Sequence, residues 1–154
     1  MSIRIPQLLC AFLLPAITAC AGYRPPDGWV VHTRDSRELR ASSGDGARLL
    51  VKWRRADHAE AVEVLQDSLN DAPAQSWTIL EKRSIRVPGG TGAEAVLESG
   101  KRMARGQENL WLIRVLVQPS RQGVRITTAE LLARAPIFRH NRRSVEAGFA
   151  DLLD

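Results

Sequence analysis

The sequence predicts an α+β fold, an antiparallel sheet flanked by helices in a three-layer α/β/α sandwich. Three observations point there. Several stretches alternate apolar and polar residues between glycine-rich turns, whereas two segments space their apolar residues by three and four. A further stretch, Glu108 to Gln118, is apolar on both faces, as expected of a strand covered from both sides and central in its sheet.

Taken in order, Trp29 to Arg34 reads as a first strand. Leu39–Ser42 and Ala47–Arg54 form a hairpin around Ser43-Gly44-Asp45-Gly46, and Ala47, Leu49, Val51 and Trp53 share one face of its second arm. Arg48, Lys52 and Arg54 lie on the other face, together with Leu50. Asp57 reads as the N-cap of a helix to about Asn70, with Glu60 three residues on and an apolar stripe of Ala61, Val62, Leu65 and Leu69. Ala72-Pro73 ends it.

Trp77 to Val87 alternates again, with Trp77, Ile79, Ile85 and Val87 on one side, interrupted by Glu81 and Arg83. Pro88-Gly89-Gly90-Thr91-Gly92 is a turn into a strand over Ala93–Arg102. In Glu108–Gln118, Trp111, Ile113, Val115 and Val117 line one face, and Leu110, Leu112 and Leu116 share the other with Arg114. Val124–Ala133 is the last strand. After Pro136, Phe138 to Leu153 is a second amphipathic helix carrying Phe138, Val145, Phe149 and Leu152.

The 154 residues are 44% hydrophobic, 25% charged and 5% aromatic, which suits one globular domain and excludes a disordered chain. Lys+Arg outnumbers Asp+Glu by 22 to 17, and the excess is almost all arginine.

The amino terminus reads as an address. Arg4 precedes an apolar run, Leu8 to Ala19, too short to span a bilayer but of the size of a signal-peptide core. Ile17-Thr18-Ala19-Cys20 resembles the bacterial lipobox. That resemblance implies a signal peptide over residues 1–19, a diacylglyceryl group on the Cys20 sulfur, and cleavage before it. Residues 20–28 then form a tether containing Pro25-Pro26, reaching about 25 Å, and residues 29–154 the domain. Ala21 after the cysteine implies the outer membrane, facing the periplasm, in a Gram-negative host. Ala19-Cys20-Ala21 also fits ordinary signal peptidase, which would cut after Ala21 and release a soluble protein. Cys10 falls in the removed peptide, so Cys20 is the single mature cysteine and no internal disulfide can form.

The layout resembles the Mog1/PsbP-like proteins, in particular small bacterial lipoproteins and DcrB-like members. The residues that carry it are the helix Asp57–Asn70, the turn Val87–Ala93, the long hairpin Leu110–Leu132 and the closing helix after Pro136-Ile137-Phe138. This implies a binding or assembly role more than chemistry.

No catalytic constellation stands out. His32, His58 and His140 lack metal-site spacing, no G-x-S-x-G occurs, and Gly89–Gly92 lacks the Lys-Ser/Thr of a phosphate loop. Asp45 lacks the acidic ladder calcium needs, and Glu94, Glu98 and Glu108 have no evident general-acid partner. No cofactor or enzyme activity is therefore expected. An exported arginine-rich surface does not suggest nucleic acid, and Trp53 falls in the core register. Arg139, Arg142 and Arg143 are candidates to touch an anionic partner near the membrane. Two functions follow as expectations. One is a membrane-anchored module interacting with an envelope protein. The other is a small-ligand carrier or sensor in which Leu110 or Leu112 faces a cavity.

Overall fold

The computed structural model describes residues 23–72, 77–99 and 108–150. Its elements are β1 (Val30–Arg34), β2 (Glu38–Ser42), β3 (Arg48–Ala56), α1 (Ala61–Asp71), β4 (Trp77–Val87), β5 (Gly90–Ser99), β6 (Asn109–Pro119), β7 (Val124–Arg134) and α2 (Ala135–Ala150). The strands form one antiparallel sheet in the order β1-β2-β3-β7-β6-β5-β4. β6 is interior, between β5 and β7, as its two-sided apolarity requires.

Two cores result, one on each face. On one, Leu39, Leu49, Val51, Trp53, Leu112, Leu116 and Leu131 pack against Phe138, Val145 and Phe149 of α2. On the other, Ala93, Ala95, Leu97, Ile113, Val115 and Val117 pack under Ala61, Val64 and Leu65 of α1. The layers are therefore α/β/α, the predicted sandwich.

Several local expectations shift. β3 runs on to Ala56, so Asp57-His58-Ala59 becomes its exit and α1 starts at Ala61, with Glu60 at the cap position and no side-chain cap. Asp57 is thus not the N-cap. Val64, not Val62, lies in the buried stripe, and Val62 is exposed. The β4–β5 turn is only Pro88-Gly89, with Gly89 at φ 69°. Gly90–Gly92 already belong to the strand, and a Cβ on Gly92 would come within 2.6 Å of both Ile85 and Val87. A register shift between Ile79 and Glu81 adds one residue to β4. It moves Glu81, Arg83, Ile85 and Val87 to the α2 face and leaves Trp77 and Ile79 on the α1 face, so these apolar residues do not share one side. α2 begins at Ala135, because Pro136 is tolerated in a first helical turn.

The tether is also shorter than expected. Tyr23, assigned above to residues 20–28, is fully buried. Its ring lies 4.9 Å from that of Phe149, its hydroxyl donates to the Val145 carbonyl, and its own carbonyl accepts from Arg34 at 2.6 Å. The packed structure thus includes Tyr23, six residues before the expected start of the domain. Every described strand and helix and both described cores are built from Tyr23 onward, so a chain starting at Ala21 retains them. The lipobox with Cys20, Pro73, Lys101-Arg102 and Leu152-Leu153 lie outside the described residues.

Candidate functional site

α1 packs chiefly on β5 and β6, with Ile126 of β7 in the same core, and no other described element covers the rest of that face. The uncovered half holds a groove of about 680 Å³. Two cross-strand rows build it. One runs Arg40, Leu50, Glu130 across β2, β3 and β7; the next runs Ser42, Arg48, Leu132, Trp111 across β2, β3, β7 and β6. Because alternate strand residues share a face, these rows place every one of those side chains on the open side.

The groove is graded along its length. Trp77 and Trp111, with ring centroids 5.3 Å apart at 61°, close the end nearest α1. Leu50 and Leu132 form the middle of the floor. Arg40 on β2 and His32 on β1 stand at the far end, where His32 Nε2 and Ser42 Oγ share a hydrogen bond of 2.7 Å, while Arg48 on β3 stands beside Leu50 and Glu130 on β7 beside Leu132. Arg40 also pairs with Glu38 at 2.9 Å. The carboxyl of Glu130 is pushed up by burial, against the opposing effects of Lys52 and a hydrogen bond from Trp111.

The opposite face hides a second polar assembly. Glu94 is fully buried, and the row Arg83–Glu94–Arg114 crosses β4, β5 and β6 beneath α2. Arg83 and Arg114 each reach Glu94 at 2.5 Å, and Arg142 reaches it from α2 at 3.2 Å. Glu146 accepts from Arg114 at 3.0 Å and from Arg142 at 2.9 Å, while Glu81 lies 3.2 Å from Arg83 and 3.4 Å from Arg142. Three arginines thus face three glutamates. Burial alone would raise the Glu94 pKa, but Arg114 and Arg83 outweigh it and hold the carboxyl below its ordinary value. Arg114 also stacks on Phe149, 5.6 Å from its centroid. Its centre, Glu94 with Arg114, is enclosed between sheet and helix, while Arg83 and Glu81 at its margin reach solvent, which makes the cluster part of the packing rather than a surface for ligands.

The three arginines singled out on the last helix therefore separate. Arg139 and Arg143 are exposed, whereas Arg142 is turned inward and its charge is engaged by Glu81, Glu94 and Glu146. Leu110 and Leu112 are buried in the core beneath α2, on the face opposite the groove, so neither lines it. His32 reaches the groove rim, while His58 and His140 lie exposed elsewhere. Among the described residues no group of three or more His, Cys, Asp or Glu side chains could hold a metal ion, and no helix is long and apolar enough to cross a membrane. Trp111 and Leu50 were the available signals for the groove: an indole and a leucine on faces whose covering the strand pattern alone does not specify.

The fold and this arrangement define an α/β/α sandwich of the Mog1/PsbP-like type. Solved structures that share it include the following two. LpqN, involved in cell envelope biogenesis of Mycobacterium tuberculosis, is 15% identical with a TM-score of 0.57, over 86% of this chain and 78% of that one. Cyanobacterial PsbP (CyanoP) from Synechocystis sp. PCC 6803 is 12% identical with a TM-score of 0.53, over 84% and 85%. No family model and no curated protein matches the sequence.

Proposed function

We propose that the chain is a lipid-anchored protein of the bacterial cell envelope whose folded body binds a partner without catalysing a reaction, the groove beside α1 being its binding surface. The observation that carries this is the half-face of sheet left open next to Trp111, lined by two indoles, Leu50 and Leu132, with Arg40 and Arg48 toward one end and Glu130 in its floor. The anchor rests on Ile17-Thr18-Ala19-Cys20, and Ala21 favours the outer membrane, facing the periplasm, in a Gram-negative host. Similarity to an envelope-biogenesis protein supports the compartment. Arg139 and Arg143, exposed on α2, are a further contact for anionic partners.

A second reading, a carrier or sensor of a small ligand, is favoured by the groove's volume. At about 680 Å³ it falls within the ~300–1,000 Å³ typical of small-molecule sites.

The anchor is tested by metabolic labelling with an alkynyl palmitate. Wild type should be labelled and sediment with membranes, and Cys20→Ala should lose both properties; equal label in both overturns the anchor. The binding surface is tested by complementation of a deletion strain. Leu50→Trp, which fills the groove from a half-buried strand position, should fail to complement while remaining folded; full complementation overturns the groove as the working surface.

A further inference from the structure

We propose that the groove takes an amphiphile with a single hydrocarbon tail and an anionic head, the tail lying over Leu50, Leu132 and Trp111 and the head meeting Arg40 and Arg48. This rests on the reading of the groove as the binding surface and names its occupant. From Trp111 on β6 to Ser42 and Arg40 on β2 there are three strand spacings of ~4.8 Å, a run of about 14 Å. Along that run the arginines of the lining lie only on β2 and β3 and the indoles only at the opposite end, with Leu50 and Leu132 between them and Glu130 on β7 the one acid in the path. Such a gradient matches a molecule that is itself apolar at one end and charged at the other.

The sign of the head follows from the rim. Arg48 has no carboxylate partner among the described residues, and Arg40 shares a single one, Glu38. The acid lining the groove is Glu130, which shares a row with Leu50 and lies diagonal to Arg48 without an ion pair between them, and whose burial favours its neutral form. A carboxylate or phosphate monoester head would accept from both guanidiniums, which are suited to forked hydrogen bonding of such groups. A cationic head would meet like charge. A polypeptide strand is less well served, since the groove lies on a sheet face and not along an unpaired strand edge.

The test uses the chain from Ala21 to Asp154 and the fluorescence of its tryptophans, two of which line the groove. Sodium dodecanoate, titrated below its micelle concentration, should saturate at one equivalent, with a Kd at least tenfold lower than that of dodecyltrimethylammonium. Arg48→Glu should abolish that preference, and shortening the tail to octanoate should weaken binding several-fold or more. Equal affinity for the two head charges, tight binding of acetate or inorganic phosphate alone, or no saturable binding of any amphiphile would overturn the proposal. In the last case, continued failure of Leu50→Trp to complement leaves the groove as the working surface and only its occupant wrong, whereas complementation removes the underlying reading as well.

Discussion

Replacing Glu94 with glutamine preserves its volume and removes one charge from the buried assembly under α2. Glu94 is completely shielded from solvent, and its carboxylate is shared by Arg83, Arg114 and Arg142. With the carboxylate gone, three guanidiniums face two glutamates, and Arg114, only 11% exposed, cannot turn to water. Removing one partner of a buried ion pair costs about 3–5 kcal/mol, a large part of the ~5–15 kcal/mol that holds a typical domain together. For a domain of this size that lowers the Tm by roughly 10–20 °C. Thermal and urea unfolding followed by circular dichroism measure it. The partners should not contribute equally: Arg83→Ala, at a side chain 53% exposed, should cost about 0–1 kcal/mol. The double variant Glu94→Leu/Arg114→Met removes one charge of each sign and should be more stable than Glu94→Gln alone. A loss under about 1 kcal/mol for Glu94→Gln, or a cost for Arg83→Ala as large as for Arg114→Met, would refute this account.

Two further outcomes follow from the same structure. Because the Glu94 pKa is lowered in the folded state, its contribution is fully present above the ordinary glutamate value of 4.5 and is lost as pH falls below it; wild type should therefore lose stability on acidification more steeply than Glu94→Gln, as read from urea midpoints between pH 6 and 3. Tyr23→Ala should cost about 3–5 kcal/mol by emptying the site against Phe149, whereas Tyr23→Phe, losing a single hydrogen bond to a helix carbonyl, should cost about 1 kcal/mol or less in the same measurement.

The strands and both helices were legible because each carries its own hydrophobic period. Trp111, Ile113, Val115 and Val117 fall on one side of β6 and Leu110, Leu112 and Leu116 on the other, as their alternation requires. What escaped was whatever depends on a neighbour. Leu80 adds a residue to β4, and nothing in its local pattern marks the shift. Glu94 sits in a strand like any solvent-facing glutamate, and only the cross-strand register brings Arg83 and Arg114 to it while α2 seals it from above. Arg142 follows for the same reason, since an arginine between exposed Arg139 and Arg143 gives no sign of turning inward. Tyr23 stands beside Pro25-Pro26, a context that reads as linker until Phe149 is seen beneath its ring. The groove exists because α1 is narrower than the sheet it covers, and sheet width is a property of pairing and not of any one segment.

The strand order has a kinetic side. β1-β2-β3 and β4-β5-β6-β7 are each consecutive antiparallel ladders, and the two are joined only where β3 meets β7. That seam brings Arg48 against Leu132 and Ala56 against Val124, residues far apart along the chain, so closing it is the entropically dearest event in assembly. Until β7 has emerged, the amino-terminal ladder must wait with β3 as a bare edge, and an unpaired edge is a template for other chains. Exported as proposed, the chain would be served in that interval by a holding chaperone that masks the open edge of β3.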